Sequence, residues 1–175
     1  MKMLRLTLDR LYKAGLVLAS VSMVLICLLM TMQIVGRWFG LIVPSVEDFV
    51  GYFLASATFF ALAYSFRHNS HIRVTFLTRQ VKGVAQRYVE LFNLTALLIL
   101  VGFITYAVGG FVLETYEFED VSTGYIAVPL WMPQSVMLAG LALFFIAVLD
   151  DWVAALLKRK PSYVTAQEAG EAAVE

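Results

Sequence analysis

Charge, cysteine and interior proline are all scarce in this sequence, and each shortage excludes something. Charged residues make up 15% of the 175-residue chain and apolar residues 61%, whereas soluble domains run at about 25% charged and roughly 45–50% apolar. With a mean hydropathy of +0.80, a soluble core inside a solvated shell is excluded. The single cysteine, Cys27, lies in an apolar run and rules out an internal disulfide. There are two histidines, His68 and His71. No cysteine or acidic residue stands near them in sequence to complete a zinc site. A haem between helices would need histidines in two different spans, and the surrounding basic run is too short for a nucleic-acid interface. No metal, haem or other cofactor is expected, and no nucleic acid.

What is present is apolar sequence in long runs. Residues 14–36, 49–66, 91–113 and 130–149 carry no charge. At about 1.5 Å per residue, roughly 20 apolar residues cross a hydrocarbon core of about 30 Å, so each run predicts a transmembrane helix. The first is too long for the apolar part of a signal peptide and no small-residue cleavage site follows it, so it is expected to stay in the mature protein. The predicted fold is an all-α integral membrane protein. It has one domain of four transmembrane helices over residues 1–160 and a flexible polar tail over 161–175.

Orientation follows from Lys and Arg. Twelve of the thirteen lie in the N-terminal segment, the connection between spans two and three, and the tail; Arg37 is the exception. Both termini and the middle connection are therefore predicted to be cytoplasmic, in a multi-pass membrane protein. The two remaining connections face outward, and the second of them holds Glu114, Glu117, Glu119 and Asp120. Trp38, Tyr125, Trp131 and Trp152 lie near span ends, as suits amphipathic rings in the headgroup layer. Ser45 followed by Asp48 reads as a helix start, and Pro133 fits the first turn of the fourth helix.

Leu77, Val81, Val84 and Tyr88 recur at helical spacing in the basic middle connection, with Arg79, Lys82 and Gln86 on another face. An amphipathic segment of this kind lies in the headgroup layer with its cations beside phospholipid; Arg73, Arg79, Lys82 and Arg87 are the candidate headgroup contacts. Leu4, Leu8 and Leu11 make a shorter stripe of the same kind. The plainer alternative is that both stripes extend the adjoining spans.

No Asp, Glu, Lys, Arg or His falls within the four charge-free cores, where such groups usually mark an ion or substrate path. No helix is broken by proline near the midplane, as transporter sites tend to be. Gly102, Gly109, Gly110 and Gly140 point to close helix contact, and Gln33, Asn93 and Thr95 to interhelical hydrogen bonds. By these criteria the chain alone is a poor carrier of charged solutes. It reads as a helper.

Three segments carry a resemblance. One is QIVGRWF, with Gln33 and Arg37, followed by PSVEDF, with Glu47 and Asp48. Another is Arg67, then His71, then I-x-V ahead of the basic run. The third is the turn with Pro129, Trp131 and Pro133 that leads into span four. In these segments, over about residues 10–160, the chain resembles the small membrane subunit of tripartite ATP-independent periplasmic (TRAP) transporters. It departs from that pattern at Thr75, where an acidic residue is common.

The resemblance implies a division of labour. A large membrane subunit binds substrate and sodium and moves; a soluble periplasmic substrate-binding protein delivers the solute, often an organic acid. The small subunit is non-catalytic and braces the large one. Gln33, Arg37, Glu47, Asp48, Arg67, His71, Pro129 and Trp131 would then make structural or subunit contacts, with Arg37 expected to meet Glu47 or Asp48. Glu114, Glu117, Glu119 and Asp120 are candidates for docking the periplasmic protein. The rival reading is a membrane anchor of a respiratory complex, which would require haem or quinone ligands.

Overall fold

In the computed structural model, residues 2–41, 43–67 and 84–157 are described. They form four helices: α1 (Lys2–Trp38), α2 (Val46–Arg67), α3 (Val84–Glu117) and α4 (Trp131–Leu156). All four are long and apolar enough to cross a membrane. The candidates His71, Arg73, Arg79 and Lys82, and the tail over 161–175, lie outside the described residues. Arg87 is on α3, but its side chain also falls outside them.

The helices outrun the charge-free runs that predict them. α1 has 37 residues and α3 has 34, about 55 and 51 Å at 1.5 Å each. α2, with 22 residues, is about 33 Å long and nearly matches the hydrocarbon thickness. Absence of charge marks only the part of a helix that sits in hydrocarbon; hydrogen-bonded backbone continues through the headgroup layer wherever no proline stops it. Thus Leu4, Leu8 and Leu11 belong to α1 itself, and Val84 and Tyr88 to α3. The charges at the ends of α2 suit its dipole, with Glu47 and Asp48 in the first turn and Arg67 in the last.

The packing is a row rather than a closed bundle. α1 lies on α2, α2 on α4 and α4 on α3, with α1 touching α4 only slightly. Lipid tails are as apolar as Leu, so close fit and hydrogen bonds must hold such a row together. Both are present. A Cβ on Gly140 of α4 would lie 2.8 Å from the backbone carbon of Phe59 on α2, so this crossing requires glycine. Ser22 of α1 donates to Ser56 of α2 at 3.1 Å in a buried contact. Trp152 of α4 donates its indole N–H to Thr95 of α3 at 2.9 Å, an interhelical bond of the kind expected at Thr95. Asn93, by contrast, is exposed.

The tightest part of the row lies towards one end. Tyr12, Ala63, Phe66, Leu94, Phe144, Ala147 and Val148 form a buried cluster there, with Phe66 and Phe144 edge to face at 5.5 Å. Arg67 sits directly after this cluster.

Candidate functional site

Polar side chains gather at the two ends of the row, and the ends are built differently. At the first, Arg67 closes α2 with its side chain only 13% exposed. Its Nη1 is 3.2 Å from Asp9 Oδ1 on α1, and its Nη2 is 3.8 Å from Asp150 Oδ2 on α4. The guanidinium also lies over the Tyr12 ring, 4.8 Å from its centroid. One planar cation thus ties α1, α2 and α4 together. Arg suits this task, since its fork reaches two carboxylates while its face stacks on an aromatic ring. Asp151 is buried beside Asp150, at 1% exposure.

Sequence reasoning singled out Arg67 but named none of the side chains that meet it here, Asp9, Asp150 and Tyr12. Counting Lys and Arg sets orientation but passes over acids on the basic side. A signal was nevertheless there: Asp9 is the sole acidic residue before Glu47, and Asp150 and Asp151 end the fourth apolar run.

At the opposite end, the turn between α1 and α2 meets the connection between α3 and α4. Ser45, with φ of 57°, accepts a hydrogen bond on its Oγ from the backbone N–H of Ile126 at 3.0 Å. Asp48 lies so close to Gly124 that any Cβ there would strike its carboxylate. The connection is itself a small hairpin. Val121 bridges Pro129, Ser122 N–H donates to Val128 at 2.9 Å, and Leu130 N–H donates to Asp120 at 3.0 Å. Trp131 opens α4 and meets Tyr116 edge to face at 5.7 Å. Pro133 falls in the first turn of α4.

Of the candidates at this end, Asp48, Pro129 and Trp131 are drawn into contacts, while Arg37 and Glu47 are exposed and Gln33 is half-buried on α1. The ion pairs among the described residues are those of Arg67. The turn is therefore ordered by Ser45 and Asp48 reaching the other connection, rather than by an Arg37 pair. Glu114, Glu117, Glu119 and Asp120 are all exposed, beside the exposed rings of Tyr116, Phe118 and Tyr125. The sequence shows GLIVPS and GYIAVP, the two segments that meet here, as a faint echo too short to establish a repeat.

Chemically, the arrangement offers a charged clasp at one end and an acidic, aromatic surface at the other. No group of three or more His, Cys, Asp or Glu among the described residues could hold a metal ion. A family model described as tripartite ATP-independent periplasmic transporters, DctQ component, matches residues 26–158. No curated protein matches the chain.

Proposed function

The chain belongs to the DctQ component family of tripartite ATP-independent periplasmic transporters, and from that premise we propose that it is the non-catalytic brace of a sodium-coupled importer of organic acids. Its partners would be a large membrane subunit that carries the solute and a periplasmic substrate-binding protein. Both termini would lie in the cytoplasm, across the bacterial inner membrane, with phospholipid around the row.

The observation that carries this reading is where the charges are. The described charged residues fall outside the four charge-free runs, and Arg67 joins three helices. A transport path needs polar groups at the midplane and a part that moves; a clasp across three helices favours a part that stays still. Haem or quinone ligation by a respiratory anchor finds no support in family membership. In this orientation Glu114, Glu117, Glu119 and Asp120 would face the periplasm, where complementary charge speeds a partner's arrival. Arg87, with Arg73, Arg79 and Lys82, would lie at the cytoplasmic headgroups.

Reconstitution tests the reading. Vesicles holding the large subunit with this chain, given the periplasmic protein and an inward sodium gradient, should take up an organic acid. Vesicles lacking this chain should not. Equal uptake without it would overturn the bracing role.

A further inference from the structure

Resting on the reading of the chain as a brace, we propose that the outer face of α3 seats a transmembrane helix of the large subunit, which accepts a hydrogen bond from Tyr106. α3 ends the row and packs essentially on α4 alone. On the face away from that contact lie Phe92, Ile99, Phe103, Tyr106, Gly110 and Leu113. From Ile99 onward they recur at alternating steps of four and three, the spacing of a seam that receives a second helix. The five side chains other than Gly110 are 65–82% exposed. A Cβ built on Gly110 would meet nothing within 4 Å. Gly140 is filled by its neighbour; Gly110 is an open notch one turn beyond Tyr106.

Lipid suits the apolar members of this face, but it does not suit Tyr106. The residue lies eight positions before Glu114, about 12 Å deeper along the helix. Helical side chains lean towards the helix N-terminus, so its ring is directed to the membrane interior, away from the nearer headgroups. Tyr106 is 82% exposed and makes no hydrogen bond among the described residues. A phenol O–H in hydrocarbon requires an acceptor, and lipid tails have none.

The opposite edge of the row differs. On α1 the exposed hydroxyls of Ser20 and Thr31 already donate to the carbonyls of Leu16 and Cys27, at 3.0 and 2.7 Å. The other exposed side chains there include Val17, Val21, Val24 and Leu28. α1 therefore presents a face that lipid can satisfy, whereas α3 presents a donor beside a notch. The complementary occupant is a helix with a carbonyl or side-chain oxygen at the level of Tyr106.

Photocrosslinking in the assembled transporter tests the assignment. A photoreactive residue at Phe103 should link to the large subunit, and one at Val24 should give no protein adduct. Tyr106→Phe should loosen retention of the large subunit in detergent by about three- to tenfold. Gly110→Leu should abolish retention, while Gly51→Leu, filling an equally open glycine on α2, should leave it unchanged. An adduct between two copies of this chain, or links from Val24 and none from Phe103, would overturn the face assignment and leave the bracing role standing. Full retention with both Tyr106→Phe and Gly110→Leu would overturn it as well. Failure of the unaltered chain to associate with the large subunit would instead sink the bracing role itself.

Discussion

Arg67 shows how one residue can matter more than its position suggests. A cation at the end of a helix is usually a solvated topology signal, worth little to stability. Here it is largely buried, shared by Asp9 and Asp150, and stacked on Tyr12. Removing one partner of a fully buried pair costs about 3–5 kcal/mol, but Asp9 is 55% exposed and water would recover part of that. Arg67→Met is therefore expected to cost about 1–3 kcal/mol, read as a lower melting temperature of the purified chain. Arg67→Lys should recover only part of the loss, because an ammonium cannot fork between two carboxylates and stack on the ring together. Full recovery by Lys would mean that charge alone matters. Asp9→Asn and Asp150→Asn, each combined with Arg67→Met, should be less than additive, since all three side chains act as one unit.

Helices read more plainly than their ends. Four runs near the length of a hydrocarbon crossing could hardly be anything else, and their existence needed only composition and length. Their ends were not legible, because a charge-free window stops at the headgroups while the backbone of α1, α3 and α4 continues past them. Helix order was hidden for another reason: a row and a closed bundle bury similar residues, and the choice rests on close fits such as Gly140 against Phe59. The joint between Ser45 and Ile126 spans 81 positions and has no local signature. Glycine substitutions separate fit from propensity at this scale. Gly140→Ala forces a Cβ against backbone and should destabilise by about 1–3 kcal/mol. Gly51→Ala meets open space and should be neutral or stabilise by up to about 1 kcal/mol, through better helix propensity. Thermal melts of the two variants should move in opposite directions or leave Gly51→Ala unmoved; an equal loss in both would show that the α2–α4 crossing is looser than the close approach implies.

For the molecule as a whole, the separation of charge along the chain predicts an orientation and, with it, the side on which a soluble partner would arrive. Twelve of thirteen Lys and Arg residues fall in the N-terminal segment, the connection between α2 and α3, and the tail, which the positive-inside rule predicts to be cytoplasmic. With Cys27 removed, a cysteine at Thr123, an exposed position in the hairpin, should react with a membrane-impermeant reagent from the periplasm. One at Ser162 should not. Labelling of Ser162 alone would invert the topology, and with it the expected site of receptor arrival.

Given that orientation, the hairpin end would be the surface that we propose a periplasmic protein meets first. Its four carboxylates are exposed and in no ion pair among the described residues, so their field is not cancelled locally. Tyr116, Phe118 and Tyr125 stand beside them, 61–93% exposed, and can supply the desolvated anchor that charge alone does not. Both Ser45 and Asp48 reach the hairpin from the other turn, so the surface is held before a partner arrives and needs little ordering on contact. Changing Glu117, Glu119 and Asp120 together to Lys spares Ser45, Asp48 and Trp131. The triple variant should assemble normally with the large subunit yet lower receptor-dependent uptake at low salt. The loss should shrink as salt rises, because exposed charges are screened beyond about 8–10 Å at physiological ionic strength. Unchanged uptake at low salt would remove the acidic surface from docking and leave it as an ordinary solvated loop.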